Sequence, residues 1–91
     1  MAYSLYIVTC ADGTYYTGIA TDVERRLLEH NGVRPKGARY TSARRPVSLV
    51  FEMQFATRSE ASKEEARIKR LTRPQKQDLI AAARAAKSAQ G

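Results

Sequence analysis

Few side chains in this sequence have chemical reach. It holds one histidine, His30, and one cysteine, Cys10. A single histidine excludes an HExxH metal site, and a single cysteine excludes an internal disulfide and a cysteine-based zinc site. Gly13 and Gly18 fit neither GxGxxG nor GxxxxGK[ST], so no glycine loop of those kinds cradles a phosphate. A Cys10–His30 nucleophile pair is formally available, but Cys10 reads more simply as an inert strand residue. What remains is two tyrosines, Tyr6 and Tyr16, and Arg26 ten residues beyond the second. Asp22, Arg26 and His30 recur every four residues, which on a helix lines them up in one stripe with Arg25 off it. The plainest reading of that stripe is a surface Asp22–Arg26 pair and a histidine favoured by the helix C-terminal dipole.

The charged residues point to a polyanion. Sixteen Lys and Arg against nine Asp and Glu give a net charge of +7 and a pI of about 10.0. Such an excess favours nucleic acid, because each phosphate neutralised releases a counterion. The distribution is uneven: residues 1–24 carry no basic residue. Residues 32–46 carry Arg34, Lys36, Arg39, Arg44 and Arg45 with no acid among them, in a stretch broken by Gly32, Pro35, Gly37 and Pro46. Tyr40 lies within it, and arginines interleaved with an aromatic suit phosphate contact combined with base stacking. A second run, 63–76, holds six more basic residues diluted by Glu64 and Glu65, and reads as a solvated face.

The elements that must position these residues follow from periodicity. Tyr3–Cys10 is β-branched and aromatic enough for a strand, Ala11-Asp12-Gly13 is a turn, and Thr14–Ile19 is a second strand. A two-residue turn at Asp12-Gly13 would put Tyr6 and Tyr16 on opposite faces of this hairpin. A three-residue loop pairs Tyr6 with Gly18 and puts both tyrosines on one face, and it needs a left-handed residue where Gly13 stands. Thr21–Glu24 reads as a capping box, opening a helix with Val23, Leu27 and Leu28 inward that stops at Asn31-Gly32. Val47, Leu49, Phe51, Met53 and Phe55 alternate, predicting a third strand with one buried face. Thr57–Glu60 and Thr72–Gln75 are two more capping boxes, opening helices to about Leu71 and through Leu79, Ile80 and Ala83. The order is ββαβαα: an α+β fold with a small three-stranded antiparallel sheet flanked by helices. Ninety-one residues make one domain, with a core of about 3–85 and a frayed tail at 86–91. The longest aliphatic run, Leu79–Ala83, spans no membrane, and no basic residue precedes Arg25 to begin a secretory signal. The sequence therefore predicts a small cytoplasmic protein.

Taken together, these pieces resemble a family. Ser4-Leu5-Tyr6 followed by Tyr16-Thr17-Gly18 is similar to the paired signature of the GIY-YIG nuclease superfamily. The stretch from Tyr16 to His30 resembles that family's second strand and first helix almost without interruption. Lys36-Gly-Ala-Arg-Tyr-Thr41, Arg45-Pro46 and Ile68-Lys-Arg-Leu71 resemble its short stand-alone bacterial members in particular. The likeness covers roughly residues 3–80. The first motif departs from the pattern, reading SLY rather than GIY, and no asparagine follows Asn31.

The resemblance implies an endonuclease that hydrolyses DNA phosphodiester bonds with Mg2+ or Mn2+. Tyr6 and Tyr16 are then the family tyrosines, Arg26 its helix arginine, His30 a match to a histidine or tyrosine used in several members, and Glu65 the metal ligand, with Glu64 as the alternative. Charge spread over the phosphoryl oxygens suits a bidentate guanidinium, and magnesium accepts a single carboxylate plus waters. A free tyrosine is only about 0.1% phenolate at pH 7, so Arg26 and the ion must lower the pKa of whichever tyrosine is the base, Tyr6 or in the reverse assignment Tyr16. Lys36, Arg39, Tyr40, Arg44 and Arg45 are the expected nucleic-acid contacts, with DNA (duplex, structured or single-stranded) as the partner. A non-catalytic binding module of the same fold, or a subunit active only with a protein partner, is the competing expectation.

Overall fold

A computed structural model describes residues 2–32, 41 and 43–90, the last four of these by backbone alone. Lys36, Arg39 and Tyr40 lie outside the described residues. The strands are β1 (Tyr3–Thr9), β2 (Tyr15–Ala20) and β3 (Ser48–Phe55), and the helices among the described residues are α1 (Val23–His30), α2 (Arg58–Lys69) and α3 (Arg73–Gln90). The sheet is antiparallel throughout, in the order β2-β1-β3. This is the expected α+β arrangement. Its central strand, β1, is apolar on both faces because helices cover both.

The hairpin register follows from the loop. Tyr6 pairs with Gly18 and Val8 with Tyr16, so Tyr6 and Tyr16 share a face. The Gly13 amide donates to the Cys10 carbonyl at 2.9 Å, and Gly13 adopts φ +84°, a conformation that a side chain makes costly. The three-residue loop is therefore the one formed, as Gly13 requires.

Leu5 and Ile7 point to one side of the sheet, where Phe51, Ile68 of α2 and Ile80 of α3 close a core. Tyr6, Val8 and Cys10 point to the other, packed with Val23 of α1 and Val47. The alternation expected of Val47 to Phe55 fails at one place. Ile7 pairs with Phe51 but Val8 pairs with Leu49, so Val50 is an extra residue in β3. A bulge of this kind reverses which residues face which side. Val47 accordingly joins the Tyr6 side and Phe51 the Ile7 side, while Leu49 and Met53 are exposed.

The caps are mostly the expected ones. Thr57 Oγ1 accepts from the Glu60 amide and donates to Glu60 Oε1. The Thr72 amide donates to Gln75 Oε1 at 2.8 Å and Thr72 Oγ1 accepts from the Gln75 amide at 3.4 Å. At α1 the cap is Asp22 rather than Thr21: its carboxylate accepts from the Arg25 amide at 3.0 Å. Asp22 is thereby turned to the backbone, and Arg26 pairs with Glu29 instead. Leu28, expected inward, is 41% exposed. The α1 end is tied to the start of β3, because the Asn31 amide donates to the Val47 carbonyl while its oxygen accepts from the Val47 amide.

Candidate active site

Gly18 makes room for the centre of the site. A Cβ at position 18 would lie 2.5 Å from the Tyr6 hydroxyl and 2.7 Å from its ring carbon Cζ. The phenol therefore lies flat across the neighbouring strand at the one residue that offers no side chain. It is 2% exposed. From above, the last turn of α1 brings His30 over it. The Tyr6 hydroxyl lies 2.7 Å from His30 Nε2, and Tyr16 meets the same imidazole edge-on at a centroid distance of 5.1 Å. One turn earlier, the Arg26 guanidinium also sits beside the Tyr6 hydroxyl and favours its ionised form. The spacing of four that put Arg26 and His30 on one stripe thus delivers both to one phenol.

Two residues complete this arrangement without having been singled out by the sequence. Glu29 is buried and accepts from Arg26 Nη1 at 3.0 Å, with Arg25 Nε 3.5 Å away from its other oxygen. Its carboxylate holds the Arg26 guanidinium in place, and its i, i+3 spacing from Arg26 is a signal available from the sequence. Thr41 is fully buried, with Oγ1 2.9 Å from His30 Nδ1. Its proximity to His30 depends on the tertiary path of the chain, so only its place in the Lys36–Thr41 motif marks it in advance.

Electrostatics in the pocket are set chiefly by burial. Burial pushes Tyr6 up to about 12; Arg26 beside it pulls it down by less, and Tyr16 and Glu65 push it further up. The lowered phenol pKa expected of a base is therefore not what the protein alone provides. Burial beside Arg26 pushes His30 down to about 4, so the imidazole is neutral at pH 7. Arg26 is held fully cationic, since its interactions with Glu29 and Tyr6 outweigh its desolvation.

Glu65 and Glu64 differ in their surroundings. Glu65, on α2, acts electrostatically on Tyr6; its carboxylate is a quarter exposed and lies 3.6 Å from Lys69 Nζ. Glu64 is bonded to Arg67 on the helix surface. Among the described residues no three His, Cys, Asp or Glu side chains cluster as a metal cage. A single partly exposed carboxylate is a donor set that fits a hydrated magnesium ion, which binds one or two carboxylates and keeps its waters.

Of the basic residues expected at the nucleic acid, Arg44 and Arg45 are described. Arg44 donates from Nε to Asp12 at 3.0 Å, at the hairpin loop. Arg45 donates from Nε to the His30 carbonyl at 2.8 Å. Its guanidinium packs on Gly32, where a Cβ would come within 2.7 Å of it. Arg45 thus closes the end of α1 at His30, while Arg44 is tied to the hairpin loop.

Comparison with known proteins matches this geometry to a family. The family model of the GIY-YIG catalytic domain covers residues 2–78. A UPF0213 protein of Desulfotalea psychrophila, DP2720, is 54% identical over 81 residues, spanning 89% of this chain and 73% of that one. A UPF0213 protein of Halobacterium salinarum, VNG_2274C, is 50% identical over 76 residues, 84% of this chain and 96% of that one. Among solved structures, the solution structure of the protein EF2693 from E. faecalis matches with a TM-score of 0.63 at 41% identity, covering 92% of this chain and 88% of that one. The solution structure of the UPF0213 protein BH0048 from Bacillus halodurans matches with a TM-score of 0.58 at 40% identity, covering 90% and 85%. A catalytic-domain match that spans every element from β1 into α3, on a chain whose motif tyrosines share one imidazole, places this protein in the GIY-YIG family, beside its small UPF0213 members.

Proposed function

We propose that this protein is a divalent-metal-dependent endonuclease that hydrolyses phosphodiester bonds of DNA. The observation that carries the reading is the meeting of Tyr6, Arg26 and His30 at one buried hydroxyl, with Glu65 close enough to bias it. A module that only bound nucleic acid would have no need to bury a phenol between a guanidinium and a neutral imidazole.

The chemistry follows from where protons can go. The protein alone does not supply a standing phenolate, because with Tyr6 at about 12 only about 1 in 100,000 molecules carries it at pH 7. Tyr6 instead acts as a conduit. Its oxygen takes a proton from the attacking water as its own proton passes to His30 Nε2, 2.7 Å away. Arg26 remains charged throughout and bonds the phosphoryl oxygens as negative charge builds on them. Glu29 holds that guanidinium at the correct height, and Tyr16, packed on the imidazole edge, keeps His30 from turning. Glu65 would hold the divalent ion, which when bound polarises the phosphoryl group and steadies the leaving oxygen.

The test is a cleavage assay with magnesium or manganese on plasmid, single-stranded DNA and RNA, using wild type and Arg26→Ala. Metal-dependent nicking by wild type is expected to fall about 100- to 1,000-fold in Arg26→Ala, with DNA binding largely kept. Equal cutting by both proteins would contradict the assignment. Salt-sensitive binding without any cutting by wild type would establish the binding-module reading instead.

A further inference from the structure

Each hydrogen bond around His30 constrains the next, and together they fix the position of one proton. Among the described residues, the Tyr6 hydroxyl hydrogen bonds to His30 Nε2, with the Arg26 guanidinium the other polar group acting on it most strongly. A guanidinium donates and never accepts. The phenol's own proton, in a pocket where the residue is 2% exposed, is therefore accepted by Nε2. A neutral imidazole that accepts at Nε2 carries its proton on Nδ1. That Nδ1–H points at Thr41 Oγ1, 2.9 Å away and fully buried.

We infer that Thr41 is a positioning residue whose hydroxyl oxygen accepts from His30 Nδ1–H and so keeps Nε2 bare to receive the Tyr6 proton. This rests on the hydrolytic reading above for its catalytic consequence, but not for its structural content. The opposite proton arrangement, with the Thr41 hydroxyl donating to Nδ1 and Nε2–H donating to Tyr6, aims two donors at the phenol oxygen, Nε2–H and Arg26. It also leaves the phenol proton without an acceptor among the described residues. A buried polar group without a partner is costly, which disfavours that arrangement. In the proton transfer itself, the Tyr6 O–H bond breaks and the Nε2–H bond forms as the water proton joins the Tyr6 oxygen. His30 becomes an imidazolium that donates from Nδ1 to Thr41 and from Nε2 to Tyr6. The hydroxyl of Thr41 thus has an acceptor role in both states.

The experiment reads the imidazole nitrogen chemical shifts of 15N-labelled protein at neutral pH, in wild type, Thr41→Ser and Thr41→Val. In wild type and Thr41→Ser the shifts are expected to report Nδ1 protonated and Nε2 bare. In Thr41→Val, which keeps the shape but offers no acceptor, the proton is expected on Nε2. Wild type with Nε2 protonated overturns the inference, and this holds even if the valine variant fails to fold. A valine variant that folds and keeps the wild-type tautomer also overturns it. In the nicking assay, Thr41→Val is expected to slow cleavage about 10- to 100-fold at unchanged DNA affinity, with serine restoring most of the rate. A valine variant that cuts at the wild-type rate removes the catalytic role. If wild type cuts nothing, the nuclease reading fails while the tautomer measurement still decides the role of Thr41.

Discussion

At the scale of single residues, the site depends on one missing side chain. Tyr6 can lie where it does only because position 18 has no Cβ. Gly18→Ala is expected to destabilise the fold by about 1–3 kcal/mol through overpacking, read by urea denaturation, and to displace the phenol from His30. His30 supplies a second residue-scale prediction. The unfolded chain takes up a proton on this residue near pH 6.5 and the folded chain only near 4. Between those values the unfolded state binds more protons, so stability rises with pH across the window and is level above it. The shift corresponds to at most about 3 kcal/mol. His30→Gln is expected to flatten the rise between pH 4 and 6.5, measured as the difference in unfolding free energy at the two ends; a slope unchanged in that variant would contradict the buried, neutral imidazole. Arg26 and His30 are legible as a pair from their spacing of four, and the two phenols join them through the resemblance to the GIY-YIG family. The rise in the Tyr6 pKa is not legible, since desolvation is a property of what packs around a side chain rather than of its neighbours in sequence.

At the scale of elements, local signals predict well and pairwise ones do not. The loop Ala11-Asp12-Gly13 fixes the hairpin register because a left-handed glycine permits it, and the caps at Thr57 and Thr72 are complete within four residues. The bulge at Val50 escapes a reading of alternation because it is defined by what lies across on β1. The cap of α1 falls one residue later than the sequence predicts for a different reason: Thr21 and Asp22 both have capping side chains, and only the backbone entry decides between them. Asn31 joins two elements in a way that can be tested. It makes a two-bond clasp on the Val47 backbone, so Asn31→Ala leaves a buried-edge amide and carbonyl to find new partners. The expected cost is about 1–3 kcal/mol, and Asn31→Asp, which keeps the acceptor for the Val47 amide, is expected to recover part of it. An alanine variant as stable as wild type would mean that α1 and β3 are joined by core packing alone.

At the scale of the whole molecule, a sheet covered on both faces gives the protein one apolar core and a second cluster that holds Tyr6. The charge of +7 then acts on the outside. Arg44 and Arg45, read alike from the sequence, are set apart by their partners. Arg44 pairs with Asp12 across the hairpin loop, whereas Arg45 closes the end of α1 by bonding the His30 carbonyl. Arg44→Ala is expected to weaken DNA binding and lower the salt slope by about 1 with little change in stability. Arg45→Ala is expected to cost about 1 kcal/mol of stability through the lost helix-end bond. Titrations at several salt concentrations and parallel denaturation curves separate the two; identical behaviour of both variants would contradict this division. No helix among the described residues is long and apolar enough to cross a membrane.

Whether these groups converge on one phosphodiester is decided by the nicking rates of Arg26→Ala, Glu65→Gln and the double variant, each saturated with magnesium. Groups that act as one unit lose nearly everything when the first is removed. Each single variant is therefore expected to fall at least about 100-fold, with the double variant no slower than the weaker single. Losses that multiply in the double variant, or a Glu65→Gln protein that cuts at the wild-type rate, would show that the guanidinium and the carboxylate do not share a reaction.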